Sequence, residues 1–423
     1  MGAPLSIAGG PIRATVEVPG SKSIANRALI CAALAPGRST VHHVATGDDT
    51  RAMLDGLGRL GVTVEQRGTT VVIDGGSLRG GATIDARLAG TTSRFLTALA
   101  ALDVEPTVVD GEAALRRRPM SELHDALRSL GADVRSVDGC LPVTVSRAHL
   151  SGGRVEMRGD VSSQFVSALM MIAPCLSNGL RIDLTTPLVS RPYVAITASV
   201  MSSFGAEGIT VGEQTIGVEP SNYAPCEYRV ESDASSASYP LAAAAITRGE
   251  VRVEGVGANA LQGDARFADL LEAMGCEVVR DRHATTVSRR GALRGIDVDM
   301  SDVSDLVPTI AVVAAFAASP TRITGVGFIR RKESDRIGDV VAGLKSIGCG
   351  AEETDDGLTI VPGDPSSYRG TIMRVHDDHR LAMSWSLLAL VVPGISVDEP
   401  EVVSKSWPDW WQVRSDLLGS VNR

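Results

Sequence analysis

Residues 19 to 27 combine the groups that bind an anion. Ser21, Lys22 and Ser23 stand at a predicted helix start, after an alternating strand and before the apolar run from 28 to 33. Ser21 or Ser23 is predicted to cap the first turn, whose free N–H groups carry partial positive charge. Lys22 adds a full charge there, and Arg27 shares a helical face with Ser23 because the two are four residues apart. The segment therefore predicts a site for an oxyanion.

Later segments gather hydroxyl, amide and charged groups near helix starts in the same way. In the segment 332–336 a helix would place Lys332 and Arg336 on one face, with Glu333 about 100° around the axis. The segments are 116–118 (Arg-Arg-Arg), 162–164 (Ser-Ser-Gln), 332–336 (Lys-Glu-Ser-Asp-Arg), 377–380 (Asp-Asp-His-Arg) and the neighbourhood of Lys405.

These helix starts recur because the chain repeats on a scale of about seventy residues. Predicted helices end in an apolar residue followed by glycine at Gly61, Gly131, Gly205, Gly275, Gly348 and Gly419. A second series in the same register marks the starts of the most apolar helices, at Ser23, Thr92, Ser163, Ser235, Asp305 and His379. The two series indicate one ancestral unit repeated six times. Since every repeat offers a polar helix start, a shared ligand site is expected.

Six repeats divide naturally into two sets of three. We expect one domain at 21–232 and a second at 1–20 plus 233–423, since these two parts are nearly equal in length. The chain would then cross twice between the domains. Each repeat alternates strand and helix, so the predicted fold is α/β (α+β), with two similar lobes and the substrate in a cleft between them.

Composition narrows the possible partners. The net charge of −9 and the pI near 5.4 argue against nucleic acid or an anionic membrane as a partner. Aromatic residues make up only 4% of the chain, so few side chains are available to stack against the units of a polymeric ligand. No apolar run reaches the ~18 residues of a membrane span, and no secretory leader is recognised. We therefore expect a cytoplasmic enzyme with a local basic site.

The cysteines predict neither a metal site nor a disulfide framework. The six cysteines lie far apart and form no C-x-x-C pair. We expect reduced, mostly packed thiols and no bound metal.

Taken in order, these segments resemble the family of 5-enolpyruvylshikimate-3-phosphate synthases, and the resemblance spans essentially the whole chain. The matching stretches are 19–23 (Pro-Gly-Ser-Lys-Ser), 89–91 with Arg94, Arg118-Pro119, 162–164, Ser190 with 191–193, 233–239 (Asp-Ala-Ser-Ser-Ala-Ser-Tyr), Asp305, 332–336, 378–380 and Lys405. The resemblance implies two lobes, each of three β-α-β-α-β-β units in an inverse α/β barrel-like arrangement. Six units agree with the repeat count.

The resemblance also implies a reaction. The family transfers the enolpyruvyl group of phosphoenolpyruvate to the 5-hydroxyl of shikimate 3-phosphate and releases phosphate. The family's reaction proceeds by addition and elimination through a tetrahedral intermediate. It uses no metal, no other cofactor and no covalent enzyme intermediate. A hydroxyl must lose a proton while a methylene carbon gains one, so acidic and basic groups are both required. Substrates are the only expected partners, and a monomer is expected.

By the same resemblance, Asp305 is the expected base toward the hydroxyl, and Glu333 and Lys22 are expected proton donors and relays. Bidentate guanidinium groups suit the phosphate and carboxylate of phosphoenolpyruvate. The expected phosphoenolpyruvate contacts are Lys22, Gly90, Arg118, Gln164, Arg336, Arg380 and Lys405. The expected shikimate 3-phosphate contacts are Lys22, Ser23, Arg27, Ser162, Ser163, Gln164, Ser190, Asp305 and Lys332.

Two positions depart from the family on the acceptor side. Leu88 replaces a common Asn, and Phe328 stands where a polar residue usually faces the acceptor. Three alternatives follow: a related transferase acting on another shikimate-like acceptor, a catalytically silent sugar-phosphate sensor, and a transferase acting on UDP-N-acetylglucosamine. The sensor is disfavoured because Asp305 and Glu333 are both present. The transferase acting on UDP-N-acetylglucosamine is disfavoured because residues 111–119 lack the reactive cysteine of that enzyme's family.

Overall fold

The computed structural model describes residues 4–420, and the chain divides into two compact units. The central unit runs from Gly20 to Glu231, and the terminal unit joins the chain up to Pro19 with the chain from Ser232 onward. Each unit has its own core of buried apolar side chains. The central unit differs by one residue at each end from the domain expected at 21–232.

The α-helices alternate with strands along both units. In chain order they are α1 Lys22–Leu34, α2 Asp48–Arg59, α3 Gly90–Ala100, α4 Ala113–Arg116, α5 Ser121–Ser129, α6 Ser163–Ile172, α7 Pro192–Ser203, α8 Ala234–Thr247, α9 Phe267–Ala273, α10 Val307–Ala314, α11 Gly338–Ser346, α12 His379–Leu388 and α13 Trp410–Gly419. Short 3₁₀ turns lie at Ala173–Cys175, Gly263–Arg266, Ser304–Leu306, Gly327–Arg331, Pro365–Ser367 and Pro400–Lys405.

The strands are short, as the frequent turns in the sequence require. In chain order they are β1 Arg13–Glu17, β2 Gly37–His42, β3 Thr63–Arg67, β4 Thr70–Gly75, β5 Thr83–Asp85, β6 Thr107–Asp110, β7 Asp133–Ser136, β8 Val143–Ser146, β9 Gly153–Met157, β10 Leu180–Leu184, β11 Ile209–Val211, β12 Thr215–Val218, β13 Glu227–Arg229, β14 Glu250–Glu254, β15 Glu277–Arg280, β16 Ala284–Ser288, β17 Asp297–Asp299, β18 Thr321–Thr324, β19 Gly350–Thr354, β20 Gly357–Val361, β21 Ile372–Met373 and β22 Ser396–Val397.

One strand pattern recurs in every four-stranded sheet. A leading strand pairs in parallel with the next, which pairs antiparallel with the last strand of a hairpin, as in the order β5-β6-β8-β7. The sixth repeat shows only the two-stranded sheet β21-β22 within residues 4–420. The leading strands of two sheets come from distant parts of the chain: β1 pairs with β14 in the terminal unit, and β13 pairs with β2 in the central unit.

The predicted apolar-glycine helix ends are a real structural repeat. Gly61, Gly131, Gly205, Gly275 and Gly348 all have positive φ, which glycine adopts without strain. In each case the amide of the following residue donates to a carbonyl of the last helical turn, as Val62 does to Leu57. This is the Schellman ending of a helix. Gly419 differs, because it is the last residue of α13.

The most apolar helix of each repeat lies inside its unit. Helices α1, α3 and α6 pack on one another in the central unit, and α8, α10 and α12 do so in the terminal unit. All residues of α3, α8, α10 and α12 are buried. The Ala-rich α8 and the Val-rich α10 suit burial on every side because their side chains are mostly apolar or small. Helices α3 and α12 also bury Arg94 and Arg380, whose charged ends bind Gln164 and Asp305. Across residues 4–420, the helices fall short of the length and apolarity that crossing a bilayer demands.

Two local predictions are wrong. Ser21 is the N-cap residue of α1 but makes no side-chain capping hydrogen bond. The segment 332–336 is not helical: it follows the 3₁₀ turn Gly327–Arg331, and the next helix begins at Gly338. Since Lys332 and Arg336 share no helical face, their convergence has another cause, which the ion pairs below supply.

Candidate active site

Three helix starts of the terminal unit meet at Asp305. Arg380 lies in the first turn of α12, and its Nη2 donates to Oδ2 of Asp305 at 2.7 Å. The same nitrogen lies 3.5 Å from Oγ of Ser235, in the first turn of α8. Asp305 itself belongs to the 3₁₀ turn that leads into α10. The repeat register therefore brings equivalent positions of three units together.

Asp305 accepts hydrogen bonds from three cations. Lys332 Nζ and Arg336 Nη1 each lie 2.8 Å from Oδ1, and Arg380 is bound to Oδ2. Burial favours the neutral acid, but the charges of Arg380, Lys332 and Arg336 outweigh it and hold the pKa of Asp305 well below its usual range. Asp305 is therefore a carboxylate at neutral pH, and these cations suppress its basicity.

Arg336 is the centre of this cluster. Its side chain is 1% exposed, and it joins three carboxylates. Nε and Nη2 form a fork on Asp378, at 2.7 and 3.2 Å, and Nη2 also lies 2.9 Å from Glu333. Burial lowers the pKa of Arg336, but Asp378, Glu333 and Asp305 raise it by more, so it stays charged. These bonds draw the loop around 332–337 inward, which explains why the predicted helix is absent there.

Asp378 and Glu333 connect the remaining cations. Asp378 caps α12 by accepting from the amide of Arg380 at 2.9 Å, and it also accepts from Ser334 at 3.2 Å. Glu333 Oε1 lies 3.4 Å from Nζ of Lys405, which is nearly buried. The six predicted site residues of this unit thus form one connected network: Asp305, Lys332, Glu333, Arg336, Arg380 and Lys405.

In the central unit, Lys22 is held by Asp49. Lys22 Nζ lies 2.7 Å from Oδ2 of Asp49, in the first turn of α2, and both side chains are largely buried. Thr92, near the start of α3, donates to the carbonyl of Asp49 at 3.0 Å. These contacts tie together the starts of three helices and fix the direction of the Lys22 side chain.

Gly90 lies directly against Arg118. A Cβ added at Gly90 would stand 2.6 Å from Nη1 and 2.9 Å from Cζ of Arg118. Glycine is therefore required for the guanidinium to occupy this position at the start of α3. Farther along α3, Arg94 donates to the amide oxygen of Gln164, in the first turn of α6. Ser162 caps that helix by accepting from the amide of Gln164 at 3.3 Å, as predicted.

Arg27 is enclosed by neutral groups. Nε donates to Thr197 at 2.6 Å, Nη2 to Ser167 at 3.0 Å and Nη1 to the carbonyl of Ser23 at 2.7 Å. The rings of Phe95 and Tyr193 lie 5.2 and 5.8 Å from its Cζ. Burial lowers its pKa to about 10, which leaves the group charged at neutral pH. Two other predicted residues, Ser163 and Ser190, are also buried, and Ser190 has a φ of 51°.

The predicted residues thus fall into two sets. Those of the central unit are Lys22, Ser23, Arg27, Gly90, Arg118, Ser162, Ser163, Gln164 and Ser190; the other six belong to the terminal unit. The structure adds Asp49 and Asp264, which the sequence did not single out. Asp49 is an acidic residue in the first turn of a helix, and such residues are too common to indicate a functional site. Asp264 lies in a short 3₁₀ turn outside both register series.

Convergent cations and carboxylates suit transfer chemistry between anionic substrates. Guanidinium forks and ammonium groups bind phosphate and carboxylate, while carboxylates exchange protons with a hydroxyl or carbon. Within residues 4–420, His, Cys, Asp and Glu side chains nowhere assemble into a group of three fit to hold a metal ion.

Known proteins match this chain over almost its full length. Residues 7–413 match the family described as EPSP synthase (3-phosphoshikimate 1-carboxyvinyltransferase). The 3-phosphoshikimate 1-carboxyvinyltransferase of Methanoculleus marisnigri is 42% identical over 410 residues, covering 95% of this chain and 96% of that protein. The enzyme of the same name from Syntrophobacter fumaroxidans is 40% identical over 415 residues, covering 96% of this chain and 97% of that protein. Among solved structures, EPSP synthase from Acinetobacter baumannii superposes with a TM-score of 0.82 at 26% identity, covering 97% of both chains. The predicted α/β class is confirmed.

Proposed function

Because the chain belongs to the family of 3-phosphoshikimate 1-carboxyvinyltransferases, we propose that the two sets of residues described above serve one reaction. The enzyme transfers the enolpyruvyl group of phosphoenolpyruvate to the 5-hydroxyl of shikimate 3-phosphate and releases phosphate. This is a step of the shikimate pathway, which supplies chorismate and the aromatic amino acids.

Phosphoenolpyruvate is bound by cations from both sets. Arg336, Arg380 and Lys405 offer charged donors in the terminal unit, and Lys22, Gly90, Arg118 and Gln164 are the proposed contacts in the central unit. In the structure, Asp305 and Glu333 pair with the charged donors of the terminal set. The phosphate and carboxylate of the substrate would compete with these carboxylates for the same N–H groups. Binding therefore exchanges internal ion pairs for ion pairs with the ligand.

This exchange would prepare Asp305 as the base. Three hydrogen-bonded cations favour the ionised carboxylate and oppose proton uptake. When Arg336 and Arg380 turn to the substrate anions, Asp305 loses part of that stabilisation and its proton affinity rises. It can then accept the proton of the 5-hydroxyl. Glu333, which bridges Arg336 and Lys405, and Lys22 are the proposed donors and relays for the proton that reaches the methylene carbon.

Shikimate 3-phosphate is proposed to contact Lys22, Ser23, Arg27, Ser162, Ser163, Gln164, Ser190, Asp305 and Lys332. Each nitrogen of Arg27 already donates within the protein. It can reach the acceptor only through the second N–H of Nη1 or Nη2. Its main contribution is thus a fixed positive charge next to Ser23, whose carbonyl it binds.

The observation that carries the proposal is the single network joining Asp305, Glu333, Arg336 and Arg380. It is tested by measuring phosphate release from shikimate 3-phosphate and phosphoenolpyruvate at millimolar concentrations, with phosphoenolpyruvate alone as the blank. Rapid release supports the proposal. No release with this pair, but release with another shikimate-like acceptor, would favour a related transferase instead.

We further propose that the enzyme acts as a monomer in the cytoplasm. Support comes from the expectation that one chain carries all groups of the reaction and from the buried, reduced state of Cys31, Cys276 and Cys349. Sedimentation at assay concentration tests the oligomeric state, and a dimer would contradict this part of the proposal.

A further inference from the structure

A buried hydrogen-bonded chain connects Asp264 to the network around Asp305. Ser235 donates a hydrogen bond to Oδ2 of Asp264. The Ser235 oxygen also lies 3.5 Å from Nη2 of Arg380, and that nitrogen lies 2.7 Å from Asp305. Asp264 is only 3% exposed. It can therefore influence the orientation of Arg380 without touching substrate.

The position of Asp264 is fixed by the start of α8. Gln262 accepts from the amide of Ala234 at 3.1 Å and donates to the carbonyl of Ser232 at 2.6 Å. These two bonds tie the turn Gly263–Arg266 to the entry of the helix. Asp233, the N-cap residue of α8, accepts from the amide of Ser236 at 3.0 Å. Two carboxylates and one hydroxyl therefore lie at the same helix end.

The charges facing Asp264 come from several elements. Asp305 from the turn before α10 and Asp233 from the start of α8 disfavour its ionisation, whereas Arg380 from α12 and the Ser235 hydroxyl favour it. Helix α9, which continues from the turn, directs Asp269 to Arg280. Burial has the largest effect, and together these influences raise the pKa of Asp264 to about 6.

The charge balance of the network depends on this group. Lys332, Arg336, Arg380 and Lys405 carry four positive charges, and Asp305, Glu333 and Asp378 carry three negative charges. Ionisation of Asp264 adds one negative charge to the carboxylates that face these cations, among them Asp233, and protonation of Asp264 removes that charge. An arriving anion is attracted more strongly when Asp264 is protonated.

We propose that Asp264 is a positioning residue that acts through Ser235 on Arg380, and that it takes up one proton from solvent when phosphoenolpyruvate binds. The proton adds to the Asp264 carboxylate, and no bond of the substrate changes in this step. A nearby anion disfavours a carboxylate, so the bound ligand raises the pKa of Asp264 further. Between its pKa in the free and bound enzyme, affinity for phosphoenolpyruvate falls as pH rises. This inference rests on the proposed function.

The variant Asp264→Asn separates the positioning of Arg380 from the uptake of a proton. Asparagine keeps an acceptor for Ser235 but cannot titrate. The KM for phosphoenolpyruvate should equal that of the wild type at pH 5 and be roughly tenfold lower than the wild type at pH 7.5, as expected for uptake of one proton. The phosphate of the substrate itself ionises near pH 6, but this affects both proteins equally and cancels in the ratio. A merely structural role would shift KM by the same factor at every pH.

Two variants serve as controls. Ser235→Ala breaks the contact with Arg380 but leaves the carboxylate, so we expect a higher KM at every pH with the pH dependence retained. Asp269→Asn removes an exposed carboxylate of α9 and should match the wild type throughout. A pH-independent ratio for Asp264→Asn would overturn the inference while phosphate release by the wild type continued. Absence of release by the wild type would instead contradict the proposed function.

A second measurement needs no variant. Phosphoenolpyruvate is titrated into the wild-type protein at pH 7.5 in two buffers of different ionisation enthalpy, and the difference in heat reports the protons exchanged. We expect net uptake, up to one proton per site. Equal heats in both buffers would contradict the proposal even if Asp264→Asn failed to fold.

Discussion

Arg336 of the terminal unit and Arg27 of the central unit, both predicted site residues with 1% of their surface exposed, are held in opposite ways. In the terminal unit Arg336 is bound by Asp305, Glu333 and Asp378, all carboxylates. In the central unit Arg27, equally buried, donates to two hydroxyls and a carbonyl. Carboxylates neutralise a cation, whereas neutral acceptors orient it and leave its charge in place.

This difference suggests a division of labour. A cation held by neutral groups, as Arg27 is, attracts an anion without first losing a charged partner, which suits recognition of an anionic substrate. Cations held by carboxylates can release those carboxylates when a ligand anion replaces them, which suits acid–base chemistry in the terminal unit.

The carboxylates of the terminal unit should carry the chemistry. We expect Asp305→Asn and Glu333→Gln each to lower kcat by roughly 10²- to 10⁴-fold, the usual contribution of a general acid or base. The matched control is Glu353→Gln, which removes a half-exposed carboxylate paired with Arg330. Steady-state phosphate release measures all three. Retention of more than half of the parent kcat by either active-site variant would contradict its assigned role.

The buried arginines should differ in their contribution to stability. Arg336→Met leaves Asp378 and its neighbours without their buried partner, which should lower the free energy of unfolding by about 3 to 5 kcal/mol. Arg27→Met leaves only neutral acceptors, so the loss should be about 1 to 3 kcal/mol. Urea unfolding at pH 7.5 compares the two. Equal losses would show that the partners' charge does not distinguish the units.

Two aspartates of the terminal unit, Asp305 and Asp264, should affect stability in opposite ways as the pH changes. The folded pKa of Asp305 is depressed, so its contribution to stability is present above the unfolded pKa near 4 and is lost as the pH falls below it. The folded pKa of Asp264 is raised to about 6, so its ionisation opposes folding as the pH rises from about 4 to 6. Asp264→Asn should therefore be more stable than the wild type at pH 7.5, by roughly 1 to 3 kcal/mol, with little difference at pH 4. Urea unfolding at both pH values tests the sign, and a variant less stable at pH 7.5 would contradict it.

A substitution at Gly90 tests the proposed phosphoenolpyruvate contact of the central unit. In Gly90→Ala the new Cβ would overlap the guanidinium of Arg118, which must move because it is the flexible partner. Misplacing one charge-assisted contact should raise the KM for phosphoenolpyruvate roughly tenfold, with a smaller change in kcat. Gly58→Ala is the control, since its Cβ meets no atom within 4 Å. An unchanged KM in Gly90→Ala would show that Arg118 is not needed where the structure places it.

Local patterns predicted much of this molecule, and long-range contacts account for what they missed. The glycine that follows Leu60 needs positive φ because of its own helix end, so sequence alone could place it. Ser162 caps α6 for an equally local reason. The loop around Glu333 could not be foreseen, because its shape follows from ion pairs with Asp305 and Asp378, distant in sequence. Asp49 and Asp264 were missed for the same reason: each acts through a residue more than 25 positions away.

A smaller effect is expected at Phe328, a departure from the family pattern that lies beside Lys332, a proposed acceptor contact. Its ring lies 5.6 Å from Nζ of Lys332, a cation–π contact worth about 0.5 to 1 kcal/mol at a partly exposed site. In Phe328→Asn that contact is lost, while a new hydrogen bond to a substrate hydroxyl would contribute about 0.5 to 1.5 kcal/mol. The two changes nearly cancel.

We therefore expect the KM for shikimate 3-phosphate to change by no more than about threefold in Phe328→Asn. Phe316→Asn, which replaces a partly buried phenylalanine of the same unit outside the network, controls for general loss of packing. A cleft rebuilt for a less hydroxylated ring would behave differently, because Phe328 would then pack against the true acceptor. Turnover of shikimate 3-phosphate would rise many-fold in Phe328→Asn and start from a low value in the wild type. That result would show that the reaction uses another acceptor. The ion-pair network of the terminal unit and its contrast with Arg27 of the central unit would still hold.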